Sequence, residues 1–285
     1  MKNFILITIF FYTRFSASAN CFDQTLFQNK VVIATGGASG IGKAIVKAFM
    51  KHNARVVFAD INEEHGFAVA KKYKNSPLSG NISFVHADLT KEDSCKEVID
   101  YTIKKYGKID ILINNAGAND KVGLSASPQK FKKSVKNNLM HYFMMTHFAL
   151  DSLKKSKGVI INIASKVAVT GQGNTSGYAA AKGAILALTR EWAVDLAPFG
   201  IRVNAIIPAE VFTEGYQQWL NLFENPEEKL KQITQKIPFE HRMTTPEEIA
   251  DTVLFIASQL SSHTTGQFFY VDGGYVHFDR AYSAE

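Results

Sequence analysis

Val31-Val-Ile-Ala-Thr35 runs directly into Gly36-Gly-Ala-Ser-Gly-Ile-Gly42, and Lys43 to Lys51 then carries apolar residues at helical spacing. A continuously apolar, β-branched run predicts a strand buried on both faces. The glycines at 36, 40 and 42 give the following turn unusual dihedrals and let a ligand approach the backbone. A helix starting there presents unpaired N–H groups and the positive end of its dipole, a site for pyrophosphate. The spacing differs from the common G-x-G-x-x-G fingerprint, and a purely structural tight turn is the alternative. Placement between strand and helix favours a dinucleotide held by Gly36, Ser39, Gly40, Ile41 and Gly42.

Outward from this stretch, short apolar runs alternate with longer amphipathic ones. Strands are predicted at Val31–Thr35, Arg55–Ala59, Ser83–His86, Ile109–Ile113, Val159–Ile163, Arg202–Ile206 and Phe268–Val271. Helices are predicted at Ile41–Lys51, Glu63–Lys72, Lys91–Lys105, Pro128–Leu153, Tyr178–Leu196 and Pro246–Ser258. The alternation predicts an α/β fold: a single Rossmann-type, doubly wound domain with a parallel sheet of about seven strands and helices on both faces. The domain is expected to span 26–285, with a substrate-loop insertion near 213–236 and a C-terminal tail over 275–285. Residues 1–25 form an N-terminal extension. Its apolar run Phe4–Tyr12 and Ala17-Ser18-Ala19 resemble a signal peptide, although Arg14 interrupts them, and a misassigned start is the competing explanation. The run is too short to span a bilayer, and a cytoplasmic location is expected.

Hydrophobic residues make up 46% of the chain and charged residues 20%, an ordinary balance for a soluble globular protein. The net charge of +6 is interspersed, and its densest stretch, Lys130 to Lys136, reads as a solvated helix face. Nucleic-acid binding is therefore not expected. The two cysteines, Cys21 and Cys95, cannot make a disulfide framework or a zinc site. No metal is expected, since no His, Cys or carboxylate cluster has ligand spacing.

Tyr178 and Lys182 stand one helical turn apart, and Ser165 ends the apolar run upstream of them. A lysine beside a phenol favours the phenolate. Bringing Tyr178 from about 10 to roughly 7 needs about 4 kcal/mol, which a close cation and an oxidised nicotinamide ring are expected to supply. Such a tyrosine exchanges protons at neutral pH, as alcohol oxidation or ketone reduction requires. The alternative is an ordinary surface pair. Asp60 ends the second predicted strand, where a carboxylate accepts ribose hydroxyls and repels a 2′-phosphate, so NAD is expected over NADP; a turn residue is the alternative. Asp88, next to Leu89, is placed at the adenine amino group or at a helix N-cap. Asn114-Asn115-Ala116-Gly117 lets the chain pass close to a ribose while an asparagine ties strands together, and Asn115 reads as more structural than catalytic. Asn138, a poor helix former within a predicted helix, marks a helix surface, a kink or a water-holding group behind Lys182.

Taken together, Thr35-Gly-x-x-x-Gly-x-Gly42, Asn114-Asn-Ala-Gly117, Asn138, Ser165, Tyr178-x-x-x-Lys182 and Val271-Asp-Gly-Gly274 resemble the short-chain dehydrogenase/reductase family over about residues 26–274. The resemblance implies that Tyr178 is the general acid/base, that Ser165 binds the reacting oxygen, that Lys182 binds the nicotinamide ribose and that Asn138 holds a relay water. It also implies nicotinamide-amide contacts at Pro208, Val211 and Thr213, although Pro208-Ala209-Glu210 replaces the usual Pro-Gly. Within the family, Gly171 to Tyr178, Pro208-Ala-Glu210 and Gly274 to Arg280 look like bacterial sugar dehydrogenases, in particular those for L-fucose. Lys166, Gln172, Asn174, Glu210 and Trp219 are the substrate candidates. A hydroxysteroid or other lipophilic alcohol walled by Phe212, Tyr216, Trp219 and Leu220 is the alternative. A 3-oxoacyl-type reductase and a non-catalytic NAD-binding sensor are the rivals, the last disfavoured by the intact tetrad. The tail with His277 and Arg280 is expected to fold over a substrate mouth or to be an ordered surface tail. Apolar residues beyond one core stripe (Phe143, Met144, Met145, Phe148, Leu186, Leu188, Trp192) predict a homotetramer.

Overall fold

The computed structural model describes residues 25–73, 77 and 81–279. The apolar N-terminal run, Cys21 and Arg280 of the tail lie outside the described residues. Near the start of the described residues Phe27 is buried and meets Phe49 edge-on at 4.8 Å.

All seven strands form one parallel sheet: β1 (Val31–Thr35), β2 (Arg55–Asp60), β3 (Ile82–His86), β4 (Ile111–Asn114), β5 (Val159–Ile163), β6 (Arg202–Pro208) and β7 (Phe268–Val271). Their order is β3-β2-β1-β4-β5-β6-β7. The direction of winding therefore reverses between β1 and β4, and in such sheets ligands bind at the carboxyl ends beside that reversal. Helices α1 (Gly40–Lys51), α2 (Glu63–Lys71) and α9 (Pro246–Ala257) cover one face. On the other lie α3 (Glu92–Tyr106), α5 (His141–Ser156) and α6 (Ser176–Leu196). Alternate residues of each inner strand feed the two cores: Val32, Val56 and Ile161 one, Ile33, Val57 and Ile160 the other. This two-sided burial is why the strands read as unbroken apolar runs. Buried amides tie the second layer to the sheet. Asn114 Nδ2 donates to Asn162 Oδ1 at 3.0 Å, and Asn162 Nδ2 to Thr189 Oγ1 of α6 at 3.0 Å.

One predicted element differs in kind. The helix expected over Pro128–Leu153 is α4 (Pro128–Val135), a π-turn over Lys136–Met140, and then α5. The inserted turn re-aims the residues after it, as discussed below. The insertion expected at 213–236 folds as two short helices, α7 (Glu214–Leu220) and α8 (Pro226–Thr234). The apolar surplus expected on the long helices is also smaller. Met145, Leu186 and Trp192 belong to the core, whereas Phe143 is 48% exposed.

Helix α6 approaches α4 closely at Gly177, where a Cβ would lie 2.4 Å from Ser134 Oγ and 2.6 Å from Ser134 Cβ. Helix propensity alone makes Gly→Ala favourable by about 1 kcal/mol. Overpacking against a fixed Cβ costs about 1–3 kcal/mol. Gly177→Ala is therefore expected to lower the urea midpoint despite the better helix former, and a raised midpoint is the contrary result.

Candidate active site

The glycine-rich turn is a cradle that side chains would fill. Gly36 has φ +67°, and a Cβ on Gly42 would lie 2.0 Å from the Gly36 carbonyl oxygen. Thr35 Oγ1 accepts from Asn115 N at 2.9 Å and Ala116 N at 3.0 Å, and Asn115 Nδ2 donates back to the Thr35 carbonyl at 2.9 Å. Asn115 thus locks the loops after β1 and β4 together, the structural role expected of it. Asp60 accepts from Ala38 N at 3.0 Å and from Asn62 N at 2.9 Å, which fixes its carboxylate at the end of β2. It is at once the turn residue and the group facing the cradle. Ser39 begins α1 without a side-chain cap, so the first-turn N–H groups are left for an anion. A dinucleotide pyrophosphate fits this cradle.

The remaining cofactor candidates are less uniform. Asp88 caps nothing on α3; it accepts from Thr90 N at 3.1 Å and Thr90 Oγ1 at 2.8 Å. Leu89, Pro208 and Val211 are buried, the first and last within the hydrophobic core. Such burial leaves only their backbone groups to offer a ligand. Thr213 caps α7 through Tyr216 N at 3.1 Å and stands over the turn, 3.4 Å from where a Gly40 Cβ would be. Ile41 and Ala116 are half-buried and Gly117 is exposed.

At the end of β5, Ser165 hydrogen-bonds Tyr178. Lys182 is only 2% exposed, and its Nζ lies 5.5 Å from the centre of the Tyr178 ring. It donates to the Ile163 carbonyl at 2.7 Å and to Tyr142 Oη at 2.9 Å. Asn138 sits in the π-turn, 1% exposed, accepting from Ala118 N at 2.8 Å and donating to the Ser134 carbonyl at 3.0 Å. The kink is therefore real, and the surface alternative is not what the chain adopts. Residues 138, 141 and 142 share one helical face. His141 Nε2 meets the Ala116 carbonyl at 2.9 Å, so this face grips the loop after β4 at two points.

The electrostatic expectation for Tyr178 is corrected. Burial pushes its phenol up to about 12, the Ser165 hydrogen bond opposing. Burial likewise brings Lys182 down to about 7. Desolvation of each charged form outweighs what a one-turn Lys–Tyr spacing supplies. At neutral pH the protein alone favours a protonated Tyr178.

On the substrate side, Lys166 and Glu210 form a close ion pair between the ends of β5 and β6, and Lys166 is only 7% exposed. Tyr216 Oη donates to the other Glu210 oxygen at 2.8 Å. Lys166 Nζ also sits 4.0 Å from the Tyr275 ring centre, drawing the start of the tail over this cluster. Trp219 packs edge-on to Tyr216 at 5.1 Å. Gln172 and Asn174 are not part of the cluster; both are exposed, and Asn174 sits at φ +54° against Gly123. Tyr142, His141 and Tyr275 are residues that sequence reading did not single out for these sites, and Tyr216, read as a wall for a lipophilic substrate, is a polar partner of Glu210 instead. The spacing Asn138-x-x-His141-Tyr142 is a signal for the first two.

The sequence family described as Enoyl-(Acyl carrier protein) reductase matches residues 36–276. L-fucose dehydrogenase of Rattus norvegicus is 36% identical over 87% of this chain and 90% of that protein. The 3-oxoacyl-[acyl-carrier-protein] reductase FabG of Thermotoga maritima is 34% identical over 87% of this chain and 98% of that one. The crystal structure of Cj0485 dehydrogenase superposes with a TM-score of 0.85 at 44% identity, covering 92% of this chain and 99% of the other. The chain belongs to the short-chain dehydrogenase/reductase family. It is an oxidoreductase acting on CH–OH groups with a nicotinamide cofactor. Among the described residues, no helix is long and apolar enough to cross a membrane.

His141 gives this site a pH signature. Burial holds its imidazole down to about 4, against the usual 6.5. The unfolded chain binds a proton near pH 6.5 that the folded chain refuses until about 4, so stability falls as pH drops through that window. The shift corresponds to about 3 kcal/mol when complete. His141→Gln, which keeps a donor for the Ala116 carbonyl, is expected to flatten this part of the acid profile in urea melts at successive pH values. Identical profiles would contradict the assignment.

Proposed function

We propose that the protein is an NAD-dependent dehydrogenase of a neutral polyhydroxylated substrate, a pyranose sugar such as L-fucose, oxidised from lactol to lactone. The observation that carries this reading is the Lys166–Glu210–Tyr216 cluster, which begins at the residue after Ser165. Its charges balance, which suits a neutral ligand, and it offers both donors and acceptors. Beyond their mutual bonds Lys166 keeps further N–H donors and Glu210 further lone pairs, and a molecule without matching hydroxyls would leave these unmet. The name of the rat relative agrees with this reading. The Thermotoga maritima relative favours a 3-oxoacyl reductase instead, but a buried ion pair is a poor wall for an acyl chain. The lipophilic-alcohol reading loses support for a related reason: Leu220 is buried and Tyr216 spends its hydroxyl on Glu210. NAD is favoured by Asp60, whose anchored carboxylate would meet a 2′-phosphate with like charge.

Bound nicotinamide supplies the hydride acceptor or donor, and in its oxidised form its positive charge favours the Tyr178 phenolate. The chain supplies the rest. Ser165 holds the reacting oxygen, and Tyr178 takes its proton in oxidation or returns it in reduction. Lys182 places a cation behind Tyr178, and Asn138 holds the Ala118 backbone beside it.

An NAD⁺-reduction screen over aldoses, polyols and hydroxysteroids tests the reading. Turnover is expected with aldoses, with kcat/KM for NADP⁺ lower and Asp60→Ala narrowing that gap. Glu210→Gln is expected to reduce kcat/KM for the sugar on the order of tenfold. Activity confined to steroids, or an unimpaired Glu210→Gln enzyme, would overturn it.

We further propose a homotetramer, supported by the exposed Phe131, Phe143 and Val194 on α4 to α6. Light scattering is expected to give four times the 31.6 kDa chain mass; a monomer would refute it.

A further inference from the structure

Tyr142 is fully buried in α5, and its hydroxyl is wedged into the reaction centre. It accepts from Lys182 Nζ at 2.9 Å and donates to the Ile163 carbonyl at 2.8 Å, while Lys182 Nζ donates to that same carbonyl at 2.7 Å. The three polar atoms close a triangle. An ammonium can only donate, so Tyr142 must be the acceptor in its bond to Lys182. Its own proton then has one outlet, the Ile163 carbonyl. Burial holds the phenol well above its ordinary range, so it stays protonated, and while Lys182 is charged this polarity is fixed.

An ammonium carries three N–H bonds. Two of those on Lys182 are committed to the triangle, and one remains. Tyr178 lies on the neighbouring α6 turn, within 5.5 Å of Nζ measured to its ring centre. We propose that Tyr142 is a positioning residue of the reaction: its hydroxyl clamps the Lys182 ammonium against the end of β5, so that the one uncommitted N–H serves the cofactor and Tyr178. A core filler at this position would need the ring only. The hydroxyl is superfluous to packing and would, if unpaired, carry a desolvation penalty.

The titratable side chains facing Lys182 Nζ are His141 and Tyr142 from α5 and Tyr178 from α6. His141 is neutral at physiological pH. Among the described residues, no carboxylate lies within ion-pair distance of Nζ. Tyr142 is thus the side chain that holds this cation.

The test replaces Tyr142 with 3-fluorotyrosine in the full chain, retaining ring and hydroxyl. Its ¹⁹F resonance is expected to shift as Lys182 titrates, around pH 7, and to lose that shift in a Lys182→Met background. A resonance indifferent to pH, or one that titrates identically without Lys182, would overturn the proposal. This readout needs no substrate, so it stands apart from the sugar reading. Tyr142→Phe gives the kinetic counterpart with whichever alcohol is turned over. Loss of a hydrogen bond to a charged group is expected to lower kcat on the order of tenfold, with substrate KM little changed. The acid limb of kcat for oxidation should move to higher pH, because a less firmly charged Lys182 supports the phenolate less. A lower Tm with an unmoved limb would leave Tyr142 a packing residue and refute the assignment.

Discussion

A buried ammonium with no carboxylate partner is the constraint around which this site is organised. Lys182 lies inside the second layer, and removing its charge from water is costly unless dipoles replace the lost solvent. The Ile163 carbonyl and the Tyr142 hydroxyl are those dipoles. Each imposes a further condition. The carbonyl must come from the last residue of a central strand, and the hydroxyl must arrive from a helix on the same face. The π-turn before α5 meets the second condition. It aims Asn138, His141 and Tyr142 along one line, so that a single helical face holds the loop after β4 and Lys182 together.

Burial also decides the chemistry more than proximity does. The attraction of a cation for a phenolate is a pairwise effect, whereas desolvation acts on each charged form independently. Here the two desolvation effects pull Lys182 and Tyr178 in opposite directions, lowering one to about 7 and raising the other to about 12. The resting protein is therefore set as a proton donor, and the phenolate must be drawn out by positive charge brought to the ring. In the proposed reaction protonation and cofactor redox state would be linked: the oxidised ring would favour the base form and the reduced ring the acid form. That pairing matches the proton need of each direction.

Much of this was legible in the residues. Two-sided burial forces the strands to be continuously apolar, so Val31–Thr35 and Val159–Ile163 were readable to the residue. Gly36, Gly40 and Gly42 announced the cradle because Gly42 has no room for a Cβ and Gly36 and Gly40 take positive φ. Tyr178 and Lys182 were readable because four-residue spacing is local. The rest depends on distant partners. The π-turn arises in a segment whose sequence is that of one long helix, and Tyr142 passes there for one more apolar residue among Phe143, Met144 and Met145. Lys166 and Glu210 were each assigned to the substrate side, but their pairing spans 44 positions and is fixed only by the adjacency of β5 and β6. Gln172 and Asn174, close in sequence to Tyr178, were drawn away by the left-handed turn at Asn174.

The segment carrying α7 and α8 is held at both ends. At its entrance Val211 bridges to Thr244, and the Phe212 and Thr244 amides exchange hydrogen bonds with the opposite strand at 2.9 and 3.0 Å. At its exit Ile237 is 1% exposed, and Phe239 N bonds the Gly273 carbonyl at 3.0 Å. Both posts are anchored to the chain beyond α8, near β7 and the approach to α9, rather than to the segment itself. Sheet register is therefore set by the chain on either side of the segment. The segment is a bridge slung between two fixed posts, meeting the glycine-rich turn through Thr213 and the Lys43–Glu214 ion pair and the Lys166–Glu210 cluster through Tyr216.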